Sequence, residues 1–164
     1  LRPMGKNERR HDRPVVGWRE WVALPDWGVP AIKAKIDTGA RTSALHAFDI
    51  ETTERRGVIW ARFVVHPWQE SRADEVVVEA PLLERRAVRS SSGTARMRPV
   101  VLTTVRLAGH DVPIEVTLTR RDEMGFRMLI GRQALRRRFV VDPARSYLGG
   151  RPERGLLERN RGPA

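Results

Sequence analysis

Apolar and polar residues alternate at period two over short runs of this chain, and turn-forming residues separate the runs. Period two places successive side chains on opposite faces of a strand, so the pattern restricts the chain to sheet structure. Ile32-Lys33-Ala34-Lys35-Ile36 is the clearest instance, with one apolar and one basic face. Val15–Leu24, Val58–Val65, Glu75–Glu79, Glu84–Arg89, Ala95–Val100, Val100–Leu107, Val112–Thr119 and Phe139–Asp142 read as further strands, and Phe126–Ile130 is an apolar run that ends at Gly131. Pro25-Asp26-Trp27-Gly28 and Gly109-His110-Asp111 read as turns. Thr42–Ala47 reads as a short turn or strand, and Gln133–Arg138 as a short helix. There is no heptad pattern and no βαβ alternation. The expectation is an all-β barrel or sandwich with one short helix near its C-terminal end.

A length of 164 residues suits one domain and buries a core without disulfides; the chain has no cysteine. Residues 1–14, with Arg9, Arg10 and Arg13, read as a flexible arm, 15–147 as the domain, and 148–164 as a disordered Gly/Arg/Pro-rich tail. No run approaches a membrane span, and the polar start shows no signal peptide, which fits a cytoplasmic protein. Net charge is +11, nearly all of the excess being arginine: 28 Arg against 3 Lys. Such charge attracts anionic partners. A nucleic-acid module ordinarily adds a recognisable reader, and none is visible, so nucleic acid is not the expected partner.

The chemistry-bearing candidate is Asp37-Thr38-Gly39-Ala40, at the end of an apolar-faced strand. A carboxylate aimed at water needs a rigid loop. Gly39 lets backbone approach closely, and the Thr38 hydroxyl can fix the loop locally or across a subunit boundary. Met128-Leu129-Ile130-Gly131-Arg132 is a second element, an apolar run ending in glycine before the short helix.

This pair of motifs resembles the retropepsin superfamily of aspartic peptidases. A closer resemblance, spanning Val15 to Asp142, rests on four segments: Lys35–Ala47, Arg89-Ser90-Ser91-Ser92-Gly93, Arg98-Pro99-Val100, and Met128–Leu135. They are similar to a bacterial family labelled "ATP-dependent zinc protease", associated with RimK-type ATP-grasp glutamate ligases. The resemblance implies a closed β-barrel active as a twofold homodimer, with Asp37 catalytic. Leu129, Ile130 and Gly131, with Thr38, Gly39 and Ala40, would support the active-site loop. Ser90-Ser91-Ser92-Gly93-Thr94 would form the tip of a flap, and Arg41 and Arg89, with Arg96, would favour acidic substrates. Viral enzymes of this type carry acidic residues after Asp-Thr-Gly-Ala, where this chain has Arg41 and Thr42. Arg132 is therefore expected to lack the carboxylate partner of its viral counterparts.

The expected activity is peptide hydrolysis on acidic or glutamate-tailed proteins, with no cofactor and no metal. The four histidines, His11, His46, His66 and His110, include no pair on one helical turn, and His46 reads as a locally bonded loop residue. No nucleotide cradle is present, so an ATP link points to a partner ligase. Two alternatives remain open: a non-catalytic barrel binding RNA or acidic proteins, and the metal-dependent hydrolase of the family label.

Overall fold

The computed structural model describes residues 12–68, 73–89, 92–120, 125–153 and 155. Among the described residues the fold is all-β, with a short helix at Arg132–Leu135. In chain order it comprises β1 (Val15–Val16), β2 (Arg19–Leu24), a 3-10 turn (Pro25–Trp27), β3 (Val29–Asp37), β4 (Ser43–Arg55), β5 (Val58–Val65) and β6 (Val76–Pro81). There follow β7 (Glu84–Arg89), β8 (Ala95–Leu107), β9 (His110–Thr119), β10 (Met128–Gly131), α1 (Arg132–Leu135) and β11 (Val140–Val141).

The strand pairings return on themselves. They run β10, β3, β2, β8, β9, β4, and β4 pairs again with β10. β5 and β6 extend from the outer half of β4, β7 pairs with β8, and β1 pairs with β11. The core fills the inside of this ring. Leu24, Ile32, Leu45, Phe63, Leu107, Leu118, Met128 and Ile130 are all fully buried, each contributing about 1.5–3 kcal/mol of transfer free energy.

Several elements differ from the sequence expectation. The run Val15–Leu24 breaks at Gly17-Trp18, where a Cβ on Gly17 would lie 2.1 Å from the Arg145 carbonyl oxygen. The residues read as a turn or short strand at Thr42–Ala47 begin the 13-residue β4. The two runs meeting at Val100 are one continuous β8. The β8–β9 turn sits at Ala108-Gly109, both at positive φ, so His110 and Asp111 open β9 instead. The helix covers Arg132–Leu135 rather than Gln133–Arg138. The Glu84–Arg89 and Ala95–Val100 arms, read as strands flanking the expected flap tip, pair antiparallel as a hairpin.

Just after Tyr147, Leu148 and Gly149 are pinned to the body. The backbone N–H groups of Leu148 and Gly149 donate to the Glu20 carboxylate at 2.9 and 2.8 Å, and that of Gly17 donates to it at 2.7 Å. Glu20 is itself wholly buried. Residues 1–11 of the N-terminal arm lie outside the described residues. Among the described residues no helix is long and apolar enough to cross a membrane.

Candidate active site

β3 delivers Asp37 at its last residue. The carboxylate turns back on its own loop: Oδ1 accepts the N–H of Gly39 at 2.9 Å and of Ala40 at 3.2 Å. This local turn fixes the acid without a distant partner. Position 39 is tight, because a Cβ there would sit 3.2 Å from the same Oδ1. Asp37 is half-buried, and Thr38 and Gly39 are exposed. Among the described residues Oδ2 has no hydrogen-bond partner.

β10 wedges between β3 and β4. It runs parallel to β3, with Gly131 opposite Asp37, and antiparallel to β4, with Leu129 opposite Ala44. Met128, Leu129, Ile130 and Gly131 are all buried. Gly131 donates its N–H to Ser43 Oγ at 3.1 Å. A Cβ at position 131 would lie 2.6 Å from the Thr42 carbonyl carbon and 2.7 Å from its oxygen, so only glycine seats the loop here.

Every carbonyl from Thr38 to Arg41 is held from this side. The N–H of Arg132 donates to the Ala40 oxygen at 2.8 Å and that of Gln133 to the Arg41 oxygen at 3.1 Å. The Arg132 guanidinium donates through Nη1 to the oxygens of Gly39 at 3.0 Å and Thr38 at 3.5 Å. Arg132 thus grips backbone oxygens where its viral counterparts meet a carboxylate. Asp37, Thr38, Gly39, Ala40, Leu129, Ile130 and Gly131 come together as one unit.

The hairpin reaches this unit through its base. Arg86 of β7 donates to Thr42 Oγ1 at 3.4 Å and pairs with Glu115 of β9 at 2.9 Å. Its hydrogen bonds to Glu115 and Glu84 raise its pKa further above the ordinary arginine value. Sequence reasoning missed Arg86, because nothing in an alternating run of arginines marks the one that turns inward. Arg89 lies opposite Ala95 at the distal end of the pairing, and Gly93 has a positive φ of 82°. Ser92, Gly93 and Thr94 are exposed, as are Arg41, Arg89 and Arg96. Ser90 and Ser91 lie outside the described residues.

His46 is a buried strand residue of β4 rather than a loop residue. Its Nδ1 lies 3.1 Å from Arg127 Nη1, and its ring stacks on Phe48 at 4.3 Å. His66 stacks on the same Phe48 at 4.0 Å and lies 3.2 Å from the Glu75 carboxylate. His110 packs edge-on against Phe139, and His11 is outside the described residues. Among the described residues no three His, Asp or Glu side chains gather as a metal site.

Comparison with known proteins agrees with this geometry. A family model described as "RimB-like: Retropepsin-like aspartic endopeptidase RimB" matches residues 15–152. A "Probable alpha-L-glutamate ligase" of Shewanella pealeana is 44% identical over 144 residues, covering 88% of this chain and 31% of that protein. A protein of the same name from Parasynechococcus marenigrum is 46% identical over 144 residues, again 88% and 31%. The chain therefore spans about a third of the length of these curated relatives. The crystal structure of Lpg0085 from Legionella pneumophila, a protein of unknown function, is similar with a TM-score of 0.68 and 28% identity, over 83% of this chain and 98% of that one. With the matched region covering both the Asp37 loop and the β10 wedge beneath it, the chain belongs to the RimB-like family of retropepsin-like aspartic endopeptidases.

Proposed function

We propose that this protein is an aspartic endopeptidase that works as a twofold dimer, each subunit contributing one Asp37. The observation that carries this reading is the seating of Asp37. A half-buried carboxylate stands at a strand end, and its loop is gripped at four consecutive carbonyls by Arg132 and Gln133. So rigid a mount suits an acid that must keep its aim during a reaction. One such acid per chain is half of what peptide hydrolysis needs. One carboxylate must take a proton from water while another gives one to the substrate carbonyl. Two Asp37 side chains about 3 Å apart across a symmetry axis share a single proton, because like charges at that distance repel. Water then attacks the peptide carbonyl with no covalent enzyme intermediate. The β7–β8 hairpin serves as the flap that closes over substrate and excludes water.

Exposed Arg41, Arg89 and Arg96 favour acidic substrate side chains. The relatives named as glutamate ligases suggest a functional link to an ATP-grasp enzyme that adds glutamate, with this protein processing the glutamate-tailed product.

The test is peptide hydrolysis at mildly acidic pH by the purified protein and its Asp37→Asn and Asp37→Ala variants. Both variants should fall to the uncatalysed level, and a statine-type transition-state mimic should inhibit the parent. Full activity in Asp37→Ala overturns the reading. An oligoglutamate-tailed substrate should be cleaved in preference to a neutral peptide, and equal rates would remove the acidic specificity while leaving the mechanism.

A further inference from the structure

The outer face of β2 and β3, away from the core, gathers positive charge around aromatic rings. Trp21 lies opposite Lys33 in the β2–β3 register, and Arg19 opposite Lys35. Tyr147 stacks on Trp21, with centroids 6.3 Å apart. The Arg19 guanidinium lies over Tyr147 at 4.9 Å and over Trp18 at 4.6 Å. Arg151 lies over Tyr147 at 4.7 Å. Lys33 Nζ lies over Trp21 at 5.3 Å. Arg19 is further fixed by a hydrogen bond from Nε to Ser146 Oγ at 3.2 Å.

Among the described residues no carboxylate pairs with Arg19, Lys33 or Arg151. Burial lowers the Lys33 pKa, and the Arg19 and Arg151 charges lower it further. Three cations are thus held close together by ring contacts, at a repulsive cost that no carboxylate among the described residues relieves. We propose that Arg19, Lys33 and Arg151, ordered on Tyr147, Trp18 and Trp21, form an exosite that binds carboxylate groups of an acidic polypeptide.

The choice of carboxylate over nucleic acid follows from the rings. Single-stranded nucleic acid needs free aromatic faces on which bases stack. Here Tyr147 already carries two guanidinium groups, and Trp21 is buried against Trp68 and Tyr147. A guanidinium held over a ring face contacts the ring through its π surface and can still offer N–H groups to a carboxylate, here the Nη groups of Arg19 and the guanidinium of Arg151. The exosite does not depend on the peptidase reading, since it concerns binding and is measured on protein that lacks the Asp37 acid.

The experiment uses full-length Asp37→Asn protein and a fluorescein-labelled oligoglutamate peptide, with binding followed by anisotropy. The triple variant Arg19→Gln/Lys33→Gln/Arg151→Gln should bind at least about tenfold more weakly, the equivalent of one lost charge-assisted contact. A charge-matched control, Arg136→Gln/Arg137→Gln/Arg138→Gln, should stay within about twofold, a diffuse effect of net charge alone. Lysine acylation read by mass spectrometry gives a second measurement that needs no variant. The chain has only Lys6, Lys33 and Lys35, and peptide should protect Lys33 but not Lys6. Equal losses in the two triple variants, an unprotected Lys33, or tighter binding of an oligouridylate that displaces the peptide would each overturn the proposal. Loss of catalysis in Asp37→Asn with retained exosite binding separates the two readings.

Discussion

Glu20 shows how far a single residue can be from its sequence appearance. Within Arg19-Glu20-Trp21 it looks like a solvated acid, yet it has no solvent exposure and accepts three backbone N–H bonds, two of them from residues at least 128 positions away. No local pattern encodes such partners. Removing the carboxylate takes the acceptor from three backbone donors, one in a buried bond and two in part-buried ones, so Glu20→Ala should cost about 2–4 kcal/mol. Urea denaturation measures the loss, and limited proteolysis should cut first in the released segment after Tyr147. Lys33 argues in the opposite direction. Its folded pKa lies below the ordinary 10.5, so the folded state holds this proton less readily than the unfolded chain does. Charge on Lys33 therefore costs stability at neutral pH, and the cost fades as pH rises towards the unfolded value. Lys33→Met keeps the apolar stem over Trp21 and should raise the unfolding midpoint at pH 7, with the gain shrinking near pH 10.5. An equal gain at both values would trace it to packing. Asp37 and Gly131, by contrast, were legible from sequence, because a rigid acid loop and its glycine seat each require a specific residue type.

At the scale of elements, short alternating runs were read well and their extents poorly. β5 and β7 match the expected spans, because each carries its signal within itself. β4 was under-read because its apolar alternation changes phase between Ala47 and Phe48 and its last four residues, Thr52-Thr53-Glu54-Arg55, are all polar. Its length comes from β5, β9 and β10 pairing along it, with a register shift between Phe48 and Glu51. β10 was read as an apolar support, but its clamp on four loop carbonyls through Arg132 and Gln133 needed three-dimensional placement. The wedge makes a specific prediction. In Gly131→Ala the added methyl meets the Arg41–Thr42 backbone, and backbone cannot rotate away. Overpacking of this kind costs about 1–3 kcal/mol, and the displacement falls on the Asp37 loop. Hydrolysis should fall by far more than stability does, read as kcat against the unfolding midpoint. The hairpin carries its own prediction. Deleting Ser91–Gly93 should cripple turnover while leaving the circular dichroism spectrum and unfolding midpoint near those of the parent, because the β7–β8 register and the Arg86 bond to Thr42 lie below the tip.

The whole molecule is where sequence says least. Closure of the ring through β10 depends on Met128 meeting Leu45 and Ala34 at once, pairings that local periodicity does not encode. The same holds for the step from one chain to two. Each chain has a single Asp37-Thr38-Gly39, with Thr38 and Gly39 on the surface and, among the described residues, no hydrogen-bond partner for Oδ2 of Asp37. If two chains must each supply an acid, activity has to follow the population of fully competent pairs. Mixing parent with Asp37→Asn protein and allowing exchange distinguishes this from a self-sufficient subunit. At equal proportions, random pairing leaves about a quarter of dimers with both acids. A fixed amount of parent should then lose about half its activity, because half of its subunits sit beside a partner that cannot share the proton. Activity should scale with the square of the parent fraction across the titration. Specific activity should also drop on dilution, as pairs dissociate by mass action. A subunit that carries its own second acid would instead give activity linear in the parent fraction and indifferent to dilution, and the shared-proton dyad would be untenable.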